Sequence, residues 1–430
     1  MPISRQEGDM RVEIITIGDE LLFGQIEDSN SSFMAEKLTS NGIKVIFKTS
    51  VGDDINRISE ALETARLRVD VIIATGGLGP TSDDLTKKAI VKTFKRNLVF
   101  HPEILKNIEE SFQKRGMPMP GVNQNQALIP QGTKALSNLW GVAPGIFLED
   151  DKNLFFALPG VTVEMKWMLE NEVLPILRAR MSAGSMGSEN FILHRKLRTT
   201  GISESALFER VEKLIDPKEE MRIAFLPSYL GVDIRLTLES EEKDPAQSKL
   251  DEYEEKIREI LGPLVYGMDE QTLEEVMGRL LMERKKTIAA AESCTGGLIG
   301  ARITNVSGSS QSFERGGITY SNQSKTELLK IPLEVIEKHG AVSEEVAILM
   351  AEGVRKLAGT DYGLSVTGIA GPTGGTPQKP VGLVYIGFAH ESDSFAERFI
   401  FGQDRKSIRE RAAQAALNVV RLFMLNGQRI

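Results

Sequence analysis

The chain has 430 residues, which is too long for one ordinary hydrophobic core and predicts two or three domains at roughly 150 residues each. Its 52 Lys and Arg against 60 Asp and Glu give a net charge of −8, which argues against a general nucleic-acid-binding protein, because such proteins neutralise phosphates with basic side chains. One cysteine and four widely spaced histidines argue against a disulfide framework and against a Cys- or His-ligated metal. No apolar run is long enough to span a bilayer and the first ten residues do not resemble a signal peptide, so we predict a cytoplasmic protein.

The first predicted domain, residues 1–180, alternates strands with helices. Strands are predicted over Arg11–Ile17, over IKVIFKT and over the apolar run VDVIIA (69–74). Helices are predicted after the capping residue Asp28, over DDINRISEALETA and over LTKKAIVKTF. This alternation is typical of a parallel α/β sheet.

A glycine-rich segment, TGGLGPTSDD (75–84), directly follows the apolar strand. Ligands of open parallel sheets bind beyond the carboxyl ends of the strands, and glycines let the backbone approach a bulky anion. Backbone N–H groups and hydroxyls of such a loop can then donate to phosphate oxygens. The predicted phosphate-binding residues are Thr75, Gly76, Gly77, Gly79, Thr81 and Ser82.

Two carboxylates, Asp83 and Asp84, end this segment. They would repel a phosphate unless a divalent cation lay between them, so a hard cation such as Mg²⁺ is predicted. The alternative is that Ser82, Asp83 and Asp84 only cap the next helix. Capping does not explain the glycines and threonines that precede them, and we therefore favour the phosphate site.

The remaining chain divides into a small module and a third domain. Residues 180–190 are small and polar and predict a linker. The order β-α-β-β-α over 181–265 is typical of a two-layer α+β module. It has one basic cluster, HRKLR (194–198), and no GXXG loop to grip a nucleic-acid backbone within 185–262, so it is interpreted as a spacer or dimer element. Residues 266–430 alternate strands and helices again and predict a second α/β domain.

The motif AESCTGG (291–297) is predicted to join a buried strand to a helix. Ser293 then lies at a strand-to-helix turn, which is a geometry that exposes a nucleophile. The N–H groups of Cys294, Thr295 and Gly296 can form an oxyanion hole at the helix N-terminus. Taken alone, the motif fits helix capping by Ser293 or Thr295 equally well.

A serine nucleophile needs a base, and no histidine lies in a motif of this region. A lysine can serve when burial lowers its pKa. The segment GGITYSNQSK (316–325) supplies Tyr320 and Lys325 just after a predicted strand. Cys294 is a competing nucleophile, because a helix N-terminus lowers the pKa of a thiol.

Four segments of the first domain, in order, resemble the molybdopterin-binding-like domain of the CinA family: IGDELLFGQIEDSN (17–30), TGGLGPTSDD (75–84), NQNQALIPQG (123–132) and LPGVTVEM (158–165). Relatives bind molybdopterin, whereas the CinA version is associated with metal-dependent ADP-ribose pyrophosphatase activity. The resemblance implies a divalent cation (Mg, Co or Mn). Its implied ligands are Asp83, Asp84, Asp19 and Glu20. Other residues implied to border or support the pocket are Gly18, Asp28, Asn30 and Glu164.

Five segments of the third domain resemble the carboxy-terminal CinA domain, the nicotinamide-mononucleotide deamidase family: AESCTGG, GGITYSNQSK, AVSEEVA (341–347), VTGIAGPTGG (366–375) and VGLVYIG (381–387). The resemblance assigns the nucleophile to Ser293 and the general base or its partners to Tyr320 and Lys325, without a cofactor. We favour Ser293 over Cys294 because the tyrosine and lysine match a serine amidase. Residues implied for the substrate pocket are Thr367, Gly368 and one or more of Arg405, Arg409 and Arg411, for which a solvated helix face is the alternative.

The expected protein is therefore a molybdopterin-binding-like α/β domain, a KH-like α+β module and a carboxy-terminal α/β amidase domain. The resemblance implies two hydrolases of pyridine-nucleotide recycling, one acting on ADP-ribose and the other on nicotinamide mononucleotide, in a homodimer. The alternative is a pterin- or nucleotide-binding partner protein in competence or DNA-damage responses, without catalysis in the first domain. The acidic net charge and the missing GXXG loop argue against direct binding of nucleic acid.

Overall fold

A computed structural model describes residues 10–150, 153–182, 191–215, 220–240, 242–402 and 404–427. These residues form two compact units, one within 1–193 and 238–247, the other within 194–237 and 248–430. Most of the predicted linker, 183–190, lies outside the described residues. No helix in the described ranges is long and apolar enough to cross a membrane.

The first unit is built on a six-stranded sheet in the order β2-β1-β3-β8-β7-β6. The strands of this unit are β1 (Arg11–Ile17), β2 (Lys44–Val51), β3 (Val71–Thr75), β4 (Leu98–Phe100), β5 (Leu128–Pro130), β6 (Lys134–Leu136), β7 (Gly145–Glu149) and β8 (Leu154–Leu158). The first four strands of the sheet are parallel, whereas β7 and β6 run antiparallel at one edge. The predicted parallel α/β sheet is thus present, with an antiparallel edge that the strand-helix alternation does not indicate.

Helices cover both faces of this sheet. They are α1 (Asp19–Leu22), α2 (Ser29–Ser40), α3 (Ile55–Arg68), α4 (Thr86–Phe94), α5 (Pro102–Lys114), α6 (Thr162–Met168) and α7 (Leu174–Ser182). Successive strand residues face opposite sides, so Ile14 belongs to the core under α2 and Ile15 to the core under α3. Strands β3 and β8 are buried along their whole length, which explains why their sequences are continuous apolar runs. The loops after β1 and β3 therefore meet at one edge of the sheet.

The middle module has a four-stranded sheet in the order β10-β11-β9-β12. Its elements are β9 (Phe191–Thr199), α8 (Glu204–Val211), β10 (Arg222–Pro227), β11 (Val232–Ser240), α9 (Lys243–Leu261) and β12 (Val265–Met268). The predicted β-α-β-β-α order is present. Strand β12 is an addition, because it pairs antiparallel with β9 and so ties the segment after α9 back to the module.

The carboxy-terminal region holds a five-stranded sheet in the order β14-β13-β15-β16-β17. Its elements are α10 (Leu273–Glu283), β13 (Ile288–Glu292), α11 (Leu298–Thr304), β14 (Phe313–Ile318), α12 (Asn322–Leu329), α13 (Leu333–His339), α14 (Glu344–Ala358), β15 (Tyr362–Gly368), β16 (Leu383–Ala389), β17 (Ser394–Ile400) and α15 (Arg405–Asn426). Strand β13 is parallel to both of its neighbours, and β16 and β17 are antiparallel. The carboxyl ends of β13, β14 and β15 consequently open on the same edge.

Candidate active sites

Ser293 directly follows strand β13, at the start of a tight turn into α11. Its amide donates to the Val366 carbonyl of β15 at 2.9 Å, which extends the strand pairing by one residue. Gly296 and Gly297 then adopt left-handed φ values of 60° and 94°. Only glycine adopts this conformation without strain, which explains the glycine pair in the motif. The serine side chain is thereby fixed at the edge where three parallel strands end.

Lys325 lies against this serine. Its Nζ donates to Ser293 Oγ at 3.1 Å, to the Thr319 carbonyl at 2.7 Å and to the Tyr320 carbonyl at 3.3 Å. The lysine is 1% exposed. Burial disfavours the charged form and lowers the pKa of Lys325 to about 8. A substantial neutral fraction is therefore available near pH 8, and neutral lysine can accept the serine proton.

Helix α12 and strand β14 hold Lys325 in this position. The Ser321 side chain caps α12 by accepting from the Ser324 amide at 3.0 Å. The Thr319 amide donates to the Glu292 carbonyl at 2.8 Å, so the ends of β13 and β14 are joined immediately beside the serine. The two carbonyls that accept from Lys325 belong to this joined segment. The lysine is therefore oriented by backbone groups rather than by a flexible surface.

A further buried carboxylate, Glu292, supports the turn. Its side chain accepts from the amides of Gly297 at 3.0 Å, Ile299 at 3.1 Å and Gly300 at 2.8 Å. These are first-turn N–H groups of α11, which have no acceptor within the helix. The sequence analysis did not select Glu292, although an acidic residue just before a helix N-terminus is a usable signal. Glu292, and not Ser293 or Thr295, satisfies these amides.

Two of the three predicted oxyanion donors are available. Within the described part of the chain, the amides of Cys294 and Thr295 have no acceptor, whereas the Gly296 amide donates to the Ser293 carbonyl at 3.1 Å. Arg409 Nε donates to the Cys294 carbonyl at 3.1 Å, and its Nη2 donates to the Thr295 carbonyl at 2.6 Å. The expectation that Gly296 supplies an oxyanion donor is thus corrected, because its N–H closes the turn. Arg409 contacts the nucleophile turn through these carbonyls.

The thiol of Cys294 is a poor competitor as nucleophile. It is buried, and burial raises its pKa to about 12, which outweighs the opposite effects of its own amide and of Lys325 and Arg409. A Cβ added to Gly368 would stand 3.1 Å from this sulfur. The thiol is therefore covered by β15 and protonated at neutral pH.

The other predicted amidase residues make different contacts. Tyr320 is 61% exposed, and its hydroxyl accepts from Arg405 Nη2 at 3.1 Å. No hydrogen bond among the described residues joins this hydroxyl to Ser293 or Lys325. Thr367 is buried and donates to the Ala341 carbonyl at 2.7 Å. In this arrangement Tyr320 contributes its backbone carbonyl to the lysine, and Thr367 holds the end of β15.

The glycine loop of the first unit is shaped largely by contacts within the protein. Gly76 has φ 108°, and a Cβ there would stand 2.1 Å from the Ile17 carbonyl oxygen. A Cβ on Gly77 would stand 2.5 Å from Thr86 Oγ1. Thr75 donates to the Pro159 carbonyl at 2.9 Å. These glycines are thus required for the packing of the loop against β1 and α4, and the Thr75 hydroxyl is already engaged.

Asp84 closes the loop from inside. It accepts from the Gly79 amide at 2.7 Å, from the Thr81 amide at 2.8 Å and from the Thr81 hydroxyl. The predicted phosphate donors Gly79 and Thr81 are therefore occupied by a carboxylate of the same loop. Ser82 and Asp83 are exposed, and the neighbouring Thr81 side chain, followed by the Asp83 backbone amide, lowers the pKa of Asp83.

Carboxylates gather where β1, β2 and β3 end. The Asp19 amide donates to Asp53 at 3.0 Å, and the Asp53 amide donates to Asp19 at 3.2 Å. Burial raises the pKa of Asp53, and the nearby charges of Asp19, Glu20 and Asp83 raise it further. Asp53 was missed in the sequence, where it reads as part of a helix cap. No three His, Cys, Asp or Glu side chains in the described ranges converge as a preformed metal site.

The weaker candidates of the first unit have structural partners. Asp28 caps α2 by accepting from the Ser31 amide at 2.9 Å. Asn30 donates to the Gly160 carbonyl at 2.7 Å. Glu164 accepts from Asn138 Nδ2 at 2.6 Å. Each of these contacts explains its residue without a ligand.

Lys87, in the first turn of α4, is a buried lysine that the sequence analysis did not select. Its Nζ donates to the Asn125 carbonyl at 3.1 Å and to the carbonyl and side-chain oxygens of Gln126 at 3.3 and 3.2 Å. Burial lowers its pKa to about 8, and Asp84 opposes that shift. Lys87 joins the helix behind the glycine loop to the turn that carries the NQNQ motif.

Three protein families match successive parts of the chain. Residues 13–179 match the family described as "Probable molybdopterin binding domain", residues 194–267 match "Damage-inducible protein CinA KH domain", and residues 270–424 match "CinA C-terminal domain". A CinA-like protein of Dictyoglomus thermophilum is 44% identical over 97% of this chain and 100% of its own length. The chain belongs to the CinA family.

Other relatives extend the same comparison. A CinA-like protein of Kosmotoga olearia is 43% identical over 97% of this chain and 99% of its own. A crystal structure of a CinA protein from Thermoplasma acidophilum is 30% identical, covers 39% of this chain and 98% of that one, and has a TM-score of 0.37. The predicted fold class, with its molybdopterin-binding-like domain, KH module and CinA carboxy-terminal domain, is confirmed.

Proposed function

We propose that the carboxy-terminal region is an amidase that hydrolyses nicotinamide mononucleotide to nicotinic acid mononucleotide and ammonia. The observation that carries this proposal is the 3.1 Å contact between Ser293 Oγ and the buried Lys325 Nζ, whose pKa is lowered to about 8. The pair has the composition of a serine-lysine amidase site. The substrate is the one implied by the resemblance to the carboxy-terminal CinA domain.

The reaction follows from these contacts. Neutral Lys325 accepts the hydroxyl proton as Ser293 Oγ bonds to the carboxamide carbon, and the oxygen of that carbon becomes an oxyanion. The free amides of Cys294 and Thr295 are the donors closest in sequence to the nucleophile for this charge. Lys325 then returns the proton to nitrogen as the C–N bond breaks and ammonia leaves. Lys325 next accepts a proton from water as the water oxygen bonds to the acyl carbon. It returns that proton to Ser293 Oγ as the C–O bond breaks, which releases the carboxylic acid and restores both residues.

Ammonia release from nicotinamide mononucleotide tests the proposal. We expect Ser293→Ala to abolish it and Cys294→Ala to retain most of it, because the thiol is buried and protonated. Cys294→Ala is the matched control, since it alters the neighbouring residue of the same turn. Full activity of Ser293→Ala together with an inactive Cys294→Ala would reassign the nucleophile.

We further propose that the first unit is a divalent-cation-dependent ADP-ribose pyrophosphatase that produces AMP and ribose 5-phosphate. The carboxylates Asp19, Glu20, Asp53 and Asp83 support this, because Asp53 is close enough to the others for their charges to raise its pKa. Oxygen donors of this kind suit Mg²⁺, Co²⁺ or Mn²⁺. Mg²⁺ is commonly held by one or two carboxylates plus substrate phosphates, which fits a site without three converging ligands. When bound, the cation supplies positive charge to the pyrophosphate.

Chelation separates the two activities. EDTA is expected to abolish AMP formation from ADP-ribose, because the four carboxylates proposed to bind the cation lie in the first unit. Ammonia release is expected to remain unchanged, because the proposed amidase site uses no cation. Asp83→Asn is expected to mimic chelation. Equal loss of both activities in EDTA would refute the assignment of two independent sites. Tight binding of ADP-ribose without cleavage, with any divalent cation, would favour the alternative of a nucleotide- or pterin-binding module.

The proposed ligands are small nucleotides, and no nucleic acid or membrane is invoked. The net charge of −8 supports this choice, as does the lack of a GXXG sequence within residues 185–262. A cytoplasmic homodimer is proposed from the family resemblance. Sedimentation at micromolar concentration tests the oligomeric state.

A further inference from the structure

A cavity of about 760 Å³ lies between the middle module and the carboxy-terminal sheet, within the second unit. Its walls are the β10–β11 hairpin, the end of β17 and one face of α15. Ser293 and Lys325 do not line it, so it is distinct from the amidase site. Small-molecule sites have volumes of about 300–1,000 Å³. This cavity is therefore large enough for a nucleotide-sized molecule.

Aromatic side chains form part of the cavity wall. Phe399 and Phe401 both line it, and their rings are stacked with centroids 5.5 Å apart and an interplanar angle of 7°. Tyr229 lines it from the hairpin and is half-exposed. Parallel aromatic faces favour offset stacking with another planar ring.

The cavity also contains a cation without a partner. Arg411 lines it, and its guanidinium has no acceptor among the described residues. It projects from α15 only two residues after Arg409, which faces the nucleophile turn instead. A guanidinium at the edge of an apolar cavity is suited to a phosphate or carboxylate. Arg411, one of the three candidate phosphate arginines of the sequence analysis, thus lies in a different place from the proposed amidase site, whereas Arg409 contacts the turn of Ser293.

Other polar side chains also line the cavity, including the carboxylates Glu204 and Glu397. These carboxylates would repel an anion placed beside them, so the anion has to lie at Arg411, the one Lys or Arg among the described residues that line the cavity. Asn418 lines the cavity, and its Oδ1 accepts from Arg421 at 2.9 and 2.8 Å, which leaves its Nδ2 to donate. That Nδ2 lies 3.8 Å from where a Cβ on Gly201 would stand, and Gly201 is another lining residue. An apolar wall with a few placed polar groups is the usual composition of a ligand site.

The hairpin wall is held rigidly. A Cβ on Gly231 would stand 1.9 Å from the Thr199 carbonyl oxygen, so the hairpin packs directly on β9. Thr200 Oγ1 donates to the Leu230 carbonyl at 3.0 Å, and the Ser228 amide donates to the Gly231 carbonyl at 2.8 Å. The cavity is therefore preformed, which lowers the entropic cost of binding.

We propose that this cavity binds a planar aromatic ligand that carries one anionic group, with the ring against Phe399 and Phe401 and the anion at Arg411. A purine mononucleotide has this chemistry. The inference does not depend on either proposed activity. It assigns the middle module a role in forming a ligand site together with the carboxy-terminal region.

Titration of AMP into the full chain by calorimetry, in EDTA, tests this site. We expect Arg411→Gln to weaken AMP binding by about tenfold, because a charge-assisted contact is lost. Arg398→Gln is the matched control, since Arg398 neighbours Phe399 on β17 but does not line the cavity. Adenosine is expected to bind the parent protein and Arg411→Gln equally, and ribose 5-phosphate is expected to bind far more weakly than AMP.

A second variant, Ala415→Phe, fills the cavity from α15 and is expected to abolish the same binding event. The proposal would be overturned if the parent protein did not bind AMP, or if Arg411→Gln and Ala415→Phe both bound AMP as tightly as the parent. It would also be overturned if adenosine bound as tightly as AMP. A change of oligomeric state in both variants, without any change in AMP binding, would assign the cavity to contact between copies of the chain instead.

Discussion

Lys325 is a buried lysine whose amine is hydrogen-bonded only to uncharged groups among the described residues. Its acceptors are two backbone carbonyls and the Ser293 hydroxyl, and no carboxylate among the described residues pairs with it. A carboxylate partner would raise the pKa of the lysine, whereas burial alone lowers it to about 8. The lack of an acidic partner is therefore consistent with its role as a base.

The amidase rate should rise with pH through the pKa of Lys325. The base is active only when neutral, so kcat/KM is expected to increase as pH rises through about 8 and then to level off. Lys325→Arg should be nearly inactive at every pH, because arginine remains protonated. The check is the pH profile of ammonia release for both proteins. Near-parent turnover of Lys325→Arg would show that the lysine supplies only positive charge.

The same lysine should make folding stability depend on pH. Its pKa is about 8 when folded against an ordinary value of 10.5, so the unfolded chain binds more protons between these two values. The contribution of Lys325 to stability is fully present above pH 10.5 and is lost as pH falls through about 8. We expect the difference in unfolding free energy between the parent and Lys325→Met to change across this window in denaturant titrations. A difference that is constant with pH would contradict the lowered pKa.

Glu292 should act through the turn that it supports. Glu292→Gln keeps one acceptor oxygen but places an NH₂ group against amides of α11, so unfolding free energy should fall by about 1–3 kcal/mol. Because the turn carries the serine and two free amides, kcat should fall more than KM changes. Thermal unfolding and ammonia release measure the two effects. Unchanged stability would mean that the three hydrogen bonds contribute little.

At the level of single residues, the sequence could predict which residues are candidates for the site, but it could not predict which partners their side chains contact. Ser293 and Lys325 could be selected because a serine nucleophile needs a base, no histidine lies in a motif of this region, and both segments resemble the carboxy-terminal CinA domain. The hydroxyl of Tyr320 was expected at the same centre, yet it contacts Arg405 because the side chain points out from the end of β14. Side-chain direction after a strand depends on the exact register, which motif spacing does not determine.

At the level of elements, the glycine loop is closed by its own Asp84 carboxylate, which takes the place expected for a phosphate. Asp84 accepts from the amides of Gly79 and Thr81 that a phosphate was expected to occupy. The sequence could predict a loop at the end of β3 and its helix. It could not predict that the loop closes on its own aspartate, because that depends on the backbone path set by the positive φ values of Gly76 and Gly77, 108° and 62°.

Asp84 and Asp83 should therefore respond differently to the same substitution. Asp84→Ala leaves three donors without an acceptor and should lower unfolding free energy by about 1–3 kcal/mol. Asp83→Ala, the matched control at an exposed neighbour, should leave stability nearly unchanged while reducing cation-dependent cleavage of ADP-ribose. Denaturant unfolding and AMP formation provide the measurements. Equal destabilisation by both substitutions would show that the loop is not held by Asp84.

At the level of the whole molecule, the segment before the carboxy-terminal region is packed more tightly than the sequence indicates. Tyr266 is part of the hydrophobic core formed with α10 and α15, and Arg421 donates to the Pro263 carbonyl. Arg421 is almost fully buried, which lowers its pKa to about 10. The polar and glycine-containing segment 261–271 looks like a joint in sequence, yet it is packed into the core.

Fragments should reveal this packing. Residues 262–430 expressed alone should melt at a higher temperature than residues 268–430, because the shorter fragment loses Tyr266 and leaves Arg421 without its carbonyl. Losing a large buried aromatic side chain costs about 3–5 kcal/mol. Both fragments contain Ser293 and Lys325, so ammonia release below their melting temperatures is the control. Identical melting temperatures would show that the segment is only a connection.

The contact of Arg409 with the nucleophile turn has a consequence for how the protein is made. The residues that it joins are separated by 115 and 114 positions along the chain. A ribosome will have exposed Ser293 and Lys325 well before α15 has been synthesised. Contacts of such long sequence separation form late in folding. The nascent chain should therefore carry the serine-lysine pair without the arginine that contacts its turn, and the proposed amidase activity should begin only once α15 has emerged and docked.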